Sequence, residues 1–211
     1  DVKLIDCNLE RYNETKILEF IRRSKPSLVG FTVYTYFYTT VKELIKKIKI
    51  IDENIKIVLG GPHPTALPGD VFKETNSDFI VIGEGEETFL ELLRNINNPR
   101  SYPNIKGLAY REGLGFKINS ARDNIKDLDS LPFPAWHFIP PDRYPRMPHG
   151  SMAKRYPVAP VVSSRGCPFE CSFCGSEAMW QRKWRSRSPK NVVDEIEFLK
   201  KTYGVNEIHF E

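Results

Sequence analysis

The stretch KIVLGGPHPT, residues 56–65, joins a short apolar run to a loop that opens with two glycines. An apolar run of this length, ended by glycine and proline, is typical of a strand buried on both faces of a sheet. The same arrangement recurs in LVGFTV at residues 28–33 and in FIVIGEGE at residues 79–86. Between these runs, segments such as 39–51 carry apolar residues at helical spacing. The alternation predicts a parallel α/β sheet that helices cover on both faces.

This alternation extends through the first half of the chain. The run VKLIDC at residues 2–7 predicts an additional strand at the start, and IKGLAY at residues 105–110 predicts another at the end. Cys7, which closes the first run, is expected to be a small buried residue. The helices predicted among these strands cover residues 13–23, 39–51, 67–75 and 86–96.

The loops after the strands are the candidate binding region, because open α/β sheets bind ligands beyond the carboxyl ends of their strands. These loops are residues 8–11, 34–38, 60–65 and 83–86. Neither a G-x-G-x-x-G motif after the first strand nor a Walker phosphate loop is found in the sequence. A simple dinucleotide or ATP site is therefore disfavoured.

A second informative stretch, VVSSRGCPFECSFCGS at residues 161–176, contains three of the four cysteines. Cys167, Cys171 and Cys174 follow a C-x3-C-x2-C spacing, and thiolates so close together suit a soft metal centre or an iron–sulfur cluster. Three protein ligands would leave one iron of a four-iron cluster open to a small molecule. Two alternatives stay open, namely three incidental cysteines and a structural zinc site. Zinc would need a fourth ligand such as Cys7, His149 or His209.

The cysteines lie within a pattern of strand, loop, helix and strand. Strands are predicted at residues 158–163 and 207–211, and a helix is predicted at residues 191–203. This order is that of a β/α barrel, whose chemistry lies at the carboxyl ends of its strands. A full barrel takes about 250 residues. We therefore expect the chain to be a fragment, truncated at both ends and inactive by itself.

Composition limits the remaining possibilities. Four cysteines in 211 residues, three of them clustered, do not form a disulfide framework, and they favour a reducing, cytoplasmic location. No apolar run approaches the roughly 18–20 residues of a membrane span, and no secretory signal is found. The net charge of +4 does not demand nucleic acid. The basic and aromatic run at residues 180–187 is interpreted as a solvated loop.

These stretches resemble a known family. The segments GGPHPT, FIVIGEGE and TFLELL (residues 88–93) are similar to the cobalamin-binding domain that precedes many radical S-adenosylmethionine enzymes. The cysteine motif, with Phe173 before its last cysteine, resembles the signature of those enzymes. The D-x-H-x-x-G motif of many cobalamin proteins is absent, and His63 is expected to be a loop residue in a surface turn. The resemblance implies cobalamin contacts at Gly60, Gly61, Pro62, Thr65, Gly83, Glu84, Gly85 and Glu86.

The resemblance also implies an architecture. A flavodoxin-like or Rossmann-like cobalamin-binding sheet would occupy residues 1–115, and an ordered, proline-rich linker would occupy residues 116–157. Residues 158–211 would form the first strands and helices of an incomplete radical S-adenosylmethionine partial barrel. In this family a 4Fe–4S cluster, here on the three clustered cysteines, binds S-adenosylmethionine, which Phe173 and Glu211 would also contact.

The chemistry that the resemblance implies is formation of a 5′-deoxyadenosyl radical, followed by methyl transfer from cobalamin to an unactivated carbon. Relatives in this family also form or contract rings, and a non-catalytic cobalamin-binding or redox-sensing iron–sulfur protein is a further alternative. A methylthiotransferase would carry three more cysteines in its first domain, where this sequence has only Cys7. The expected partners are a small-molecule or lipid-like substrate and an electron donor such as flavodoxin or ferredoxin, without nucleic acid.

Overall fold

The computed structural model of the protein describes residues 2–7, 9–146 and 153–211. Asn8 of the first predicted loop and His149, a possible metal ligand, lie outside the described residues. In the described parts of the chain, no helix has both the length and the apolar character that a membrane span requires.

The chain divides into two compact units, which are described separately. The first, here called the sheet unit, contains residues 14–125 and 166–183. The second, here called the βαβ unit, contains residues 1–13, 126–165 and 184–211. The segment that carries the three clustered cysteines thus groups with the sheet. The domain boundaries expected at residues 115 and 158 stay a prediction.

The sheet unit is built on five strands in the order β1-β2-β3-β4-β5. The strands are β1 Leu28–Thr32, β2 Lys56–Gly60, β3 Phe79–Val81, β4 Leu108–Glu112 and β5 Gly115–Ile118. The first three are parallel, as predicted, whereas β4 and β5 are antiparallel. The antiparallel pair arises because residues 96–107 return the chain to the carboxyl end of β3, where Leu108 pairs with Val81.

Helices cover both faces of this sheet. They are α1 Glu14–Ser24, α2 Tyr38–Ile51, α3 Pro62–Ala66, α4 Pro68–Glu74, α5 Gly85–Asn95 and α6 Ser176–Trp180. Neighbouring residues of a strand point to opposite faces. Accordingly, Leu59 of β2 packs in a core with Ile45 of α2, whereas Val58 packs in a second core with Leu92 of α5. The predicted α/β fold with two covered faces is confirmed.

The strand predicted at residues 2–7 is not formed by these described residues. Val2 is 76% exposed, and the chain bends at Asp6, whose Oδ1 accepts a hydrogen bond from Leu9 N at 3.2 Å. An aspartate side chain that binds a following backbone N–H group favours a turn over a strand. Cys7 lies in this turn and is exposed, so the prediction of a buried Cys7 is wrong.

The βαβ unit contains the strand–helix–strand arrangement that the sequence predicts. Its elements are β6 Val158–Val161, β7 Ser164–Arg165, β8 Arg185–Ser186, α7 Pro189–Tyr203 and β9 Glu207–Phe210. Strands β6 and β9 are parallel, and α7 is the crossover between them. Ser188 caps α7 by accepting a hydrogen bond from Asn191 N at 3.1 Å. Leu199 of α7 packs with Ala159 of β6 and with Trp136 of the proline-rich segment.

A buried ion pair lies beside this core. Glu195 of α7 is 1% exposed and is paired with Arg187, whose side chain is 11% exposed. The other carboxylate oxygen of Glu195 accepts a hydrogen bond from Trp136 Nε1 at 3.1 Å. Arg187 Nη1 also donates to Val162 O at 2.9 Å, which ties the residues after β6 to α7.

Replacing Arg187 with methionine should destabilise the βαβ unit strongly. The substitution leaves the Glu195 carboxylate buried without its cation, which typically costs about 3–5 kcal/mol. Urea denaturation followed by tryptophan fluorescence measures the effect. The double variant Arg187→Met/Glu195→Leu should recover part of the loss, and Lys190→Met, which removes an exposed pair with Asp194 on the same helix, should leave the midpoint unchanged. An unaltered midpoint in Arg187→Met would contradict this account.

Candidate cofactor-binding site

Two glycine loops lie side by side at the carboxyl ends of β2 and β3. The first, residues 60–65, ends β2 and forms the start of α3; the second, residues 83–86, connects β3 to α5. Thr65 is buried, and its Oγ1 accepts a hydrogen bond from Gly83 N at 3.1 Å. One hydroxyl group therefore joins the loops into a continuous surface, at the position where the sequence predicts cobalamin contacts.

Gly61 is required by a close approach of two backbone segments. Its φ is +96°, and a Cβ atom at this position would lie 3.0 Å from both Val33 N and Val33 O. Gly60, by comparison, could accept a Cβ atom with nearest neighbours 3.9 Å away. The missing side chain at Gly61 allows α3 to begin directly against the end of β1. Pro62, the first residue of α3, is half-buried there.

Gly83 also has a left-handed backbone, with φ of +75°, but its surroundings are open. A Cβ atom at Gly83 would meet no heavy atom of the described residues within 4 Å. A glycine that is open on this side allows a large ligand to approach the backbone closely. The loop therefore leaves its backbone accessible to a ligand at Gly83, and the corrin contact stays a prediction.

The acidic residues of the second loop differ in their surroundings. Glu84 is 8% exposed, and its Oε2 accepts a hydrogen bond from Ile125 N at 2.8 Å. Glu86 is exposed in the first turn of α5, where a carboxylate interacts favourably with the helix dipole. Between them, Gly85 packs closely against β3, because a Cβ atom there would lie 3.4 Å from Val81 Cγ1.

His63 does not lie in a surface turn, and that part of the prediction is wrong. Pro62 begins a helix instead, and His63 is buried within it. The Nδ1 atom of His63 lies 3.1 Å from Thr35 Oγ1, and its ring lies 4.1 Å from the ring of Tyr38. Burial, with the Glu74 carboxylate nearby, raises the pKa of Tyr38 to about 12, so its neutral hydroxyl donates to Glu74. The contacts among Thr35, Tyr38 and His63 were not predicted, although Pro62 at the first helical position indicates that a helix begins there.

The three clustered cysteines lie on one loop of the sheet unit, between β7 and β8. Cys167 is half-buried, and Cys171 and Cys174 are exposed; all are free thiols in the described chain. Cys174 N donates to Cys171 O at 3.0 Å, which forms a tight turn. Within the described residues, no three His, Cys, Asp or Glu side chains are gathered closely enough to hold a metal ion. The donor set itself, three thiols on one short loop, fits iron–sulfur chemistry.

The two residues predicted to contact S-adenosylmethionine belong to different units. Phe173 lies on the cysteine loop and is 91% exposed. Glu211 follows β9 in the βαβ unit, where its backbone N donates to Val161 O at 3.1 Å. Their roles stay predictions.

The cysteine loop is closed at its base. Gly166 has a φ of +87°, and a Cβ atom there would lie 2.0 Å from Lys183 O and 3.2 Å from Trp180 Cβ. Within the loop, Arg182 forms ion pairs with Glu177, at 2.7 Å, and with Glu170. This cation of the basic run therefore neutralises carboxylates of its own segment. Helix α6 of the loop contacts α3, so the cysteine loop adjoins the first glycine loop.

Known proteins are similar to this chain in sequence and in fold. Residues 1–93 match the family model of the B12 binding domain. The chain is 35% identical to an uncharacterized methyltransferase of Pyrococcus horikoshii, PH0819, over the whole of this chain and 44% of that protein. It is 36% identical to the anaerobic magnesium-protoporphyrin IX monomethyl ester cyclase of Rubrivivax gelatinosus, over 97% of this chain and 37% of that protein.

A solved structure is similar in fold. The cobalamin-dependent S-adenosylmethionine radical enzyme OxsB, with aqua-cobalamin and S-adenosylmethionine bound, superposes with a TM-score of 0.76 at 20% identity. The match covers 100% of this chain and 29% of that one.

Residues 1–93, which contain both glycine loops, match the B12 binding domain family, and the chain shares the α/β fold of OxsB. The resemblance that the sequence predicts is confirmed, since the relatives of the chain are cobalamin-dependent radical S-adenosylmethionine methyltransferases and cyclases. The chain spans less than half the length of the two curated relatives described above.

Replacing Gly166 with alanine should disrupt the cysteine loop. The new Cβ atom would collide with a backbone carbonyl, so the base of the loop must open, at a cost of about 1–3 kcal/mol. The measurement is the rate of limited proteolysis within residues 166–183, together with the iron bound after anaerobic reconstitution.

Gly175→Ala is the matched control for this experiment. It lies on the same loop, and its Cβ atom would meet no described heavy atom within 4 Å. We expect faster cleavage and reduced iron content only in Gly166→Ala. Equal behaviour of the two variants would show that the base of the loop is not closed as described.

Proposed function

We propose that this chain is the cofactor-binding part of a cobalamin-dependent radical S-adenosylmethionine enzyme that transfers a methyl group to an unactivated carbon. The observation that carries the proposal is the shared location of two loop systems. The hydrogen bond from Gly83 to Thr65 joins the glycine loops, and α3 contacts α6 of the cysteine loop in the same unit. Two cofactors that act on one substrate must be bound close to each other, as neighbouring loops allow.

Each cofactor has an assigned set of residues in this proposal. Cobalamin would lie against residues 60–65 and 83–86, a 4Fe–4S cluster would be held by Cys167, Cys171 and Cys174, and Phe173 of the same loop would contact S-adenosylmethionine. When bound, these groups supply the one-electron chemistry and the methyl group.

The contribution of the chain is to bind and orient these groups. Gly61 allows the close approach of α3 to β1, and the open side of Gly83 leaves room for a macrocycle. Thr65 holds the two glycine loops together, because it is buried and its hydroxyl group accepts a hydrogen bond from Gly83 N. Exposure of Cys171 and Cys174 leaves two thiols accessible for cluster assembly.

Methyl transfer is the leading reaction because PH0819 is named a methyltransferase. Ring formation is the second candidate, since the chain is equally similar, at 36% identity, to the Rubrivivax gelatinosus cyclase. Both reactions would use the same cofactor sites. They differ in whether the product retains the methyl group of S-adenosylmethionine.

The two reactions are distinguished by isotope labelling of the full-length protein. The protein, reconstituted anaerobically with iron, sulfide and cobalamin, is reduced and given methyl-labelled S-adenosylmethionine with a metabolite extract of its host. We expect 5′-deoxyadenosine together with a labelled product. A product without the label but with fewer hydrogens than its substrate would favour ring formation.

The matched control compares two exposed cysteines. Cys171→Ala should abolish formation of 5′-deoxyadenosine, whereas Cys7→Ala, at a cysteine that lies outside the motif and is also exposed, should retain it. If Cys171→Ala still forms 5′-deoxyadenosine, or the unmodified protein forms none, the radical assignment fails.

The cobalamin assignment is tested at Gly83. Gly83→Ala should weaken cobalamin retention at least tenfold, because the methyl group would project into the space assigned to the corrin. Gly113→Ala is the matched control, since Gly113 also has a positive φ, of +56°, and its Cβ atom would meet no described heavy atom within 4 Å. Both variants carry the same kind of backbone strain, of about 1–2 kcal/mol.

Corrin absorbance after gel filtration measures the retained cobalamin. We expect Gly113→Ala to retain it like the unmodified protein. Equal retention by Gly83→Ala would place the corrin elsewhere.

A further inference from the structure

The end of the cysteine loop is held within the loop by the ion pairs of Arg182 and by short-range backbone hydrogen bonds, but it contains little regular structure. Helix α6 has only five residues, too few to be stable by themselves. The two residues after it, Gln181 and Arg182, have φ angles of +53° and +57°, which non-glycine residues adopt at a cost. This segment therefore depends on contacts with the rest of the sheet unit.

One such contact comes from Asn124. Its Nδ2 donates a hydrogen bond to Trp180 O, the last carbonyl of α6, at 2.9 Å. Terminal carbonyls of a helix lack partners within the helix; Trp180 O accepts from Lys183 N at 3.0 Å, and Asn124 supplies its second hydrogen bond, from outside the cysteine loop. Asn124 is 8% exposed, so solvent competes little for this bond.

Ile125, which follows Asn124 in the sequence, is bonded to the second glycine loop. Ile125 N donates to Glu84 Oε2 at 2.8 Å, and Glu84 is also 8% exposed. A bond to a buried carboxylate is stronger than one between neutral groups. Glu84 and Trp180 are therefore linked through two consecutive residues, Asn124 and Ile125.

We propose that Asn124, supported by Glu84, is a positioning residue that holds the cysteine loop in register with the second glycine loop. Asn124 binds the backbone of one loop, and Glu84 belongs to the other, so the pair fixes the distance between the two. If the loops carry a cluster and cobalamin, which rests on the proposed function, this bridge sets the separation of the two cofactors. The buried carboxylate of Glu84 would then support Asn124 from within the second glycine loop.

A second asparagine bridge in the same unit, formed by the half-buried Asn119, provides the matched control. Asn119 Nδ2 donates to Tyr102 O and Ile105 O, at 2.6 and 2.8 Å, and these partners lie in the 96–107 segment rather than in the cysteine loop. Asn119→Ala removes hydrogen bonds of the same kind. A general loss of stability would therefore be seen in both variants, whereas a positioning effect would be seen only in Asn124→Ala.

The first measurement is hydrogen–deuterium exchange of this chain without cofactors. In Asn124→Ala, we expect the amides of residues 178–183 to exchange roughly tenfold faster, the usual size of one lost hydrogen bond. Asn119→Ala should leave that segment unchanged. Glu84→Gln retains an oxygen that can accept from Ile125 N and should preserve most of the protection, whereas Glu84→Ala should reduce it.

The second measurement is spectroscopic and uses the full-length protein loaded with cobalamin and a reduced cluster. The paramagnetic cluster should alter the relaxation of the cob(II)alamin electron spin resonance signal, and Asn124→Ala should change this effect whereas Asn119→Ala should not. Unaltered exchange and unaltered relaxation in Asn124→Ala would overturn the proposal. If neither cofactor can be loaded, the proposed function fails, and the exchange result alone decides whether Asn124 holds the loop.

Discussion

The hydrogen bond between Gly83 N and Thr65 Oγ1 is the interaction on which the candidate site depends. It connects the loops after β2 and β3, which are otherwise separate segments of the chain. Its geometry requires α3 to lie close to β1, and only a residue without a side chain permits that approach at Gly61. The buried position of Thr65 protects the bond from water. The two loops are therefore joined into one surface rather than being two independent turns.

The cysteine loop extends this surface through backbone contacts rather than through its cysteines. Gly166 approaches Lys183 at the base of the loop, and α6 contacts α3 at its far end. The thiols of Cys171 and Cys174 meanwhile stay exposed. This separation of tasks is physically reasonable, because thiols must remain accessible to bind iron, whereas the loop that carries them must be held in place.

Much of the architecture could be predicted from the sequence, because it follows from local patterns. The apolar runs of β1, β2 and β3 and the helical spacing of α2 and α7 identify these elements directly. The strand predicted at residues 2–7 has the same pattern but lacks a partner strand among the described residues. The reversal of β4 was missed, since strand direction depends on the path of residues 96–107 and not on the composition of β4.

The loops that form the candidate site could be predicted from the sequence, but the side-chain contacts between them could not. The glycines and cysteines stand out because few other residue types serve those positions. The hydrogen bonds of Asn124 and Glu84 were not predictable, since their partners are 56 and 41 residues away in the sequence. The burial of His63 was missed for a similar reason, because it depends on Thr35 and Tyr38 of a different segment.

The central claim is that one compact unit of this chain carries two different cofactors. The most direct measurement is the metal content of the full-length protein after anaerobic reconstitution with iron, sulfide and cobalamin, determined by elemental analysis. The account predicts about four irons, as in a 4Fe–4S cluster, and about one cobalt per chain. Iron without cobalt, cobalt without iron, or a single zinc in place of both would contradict it.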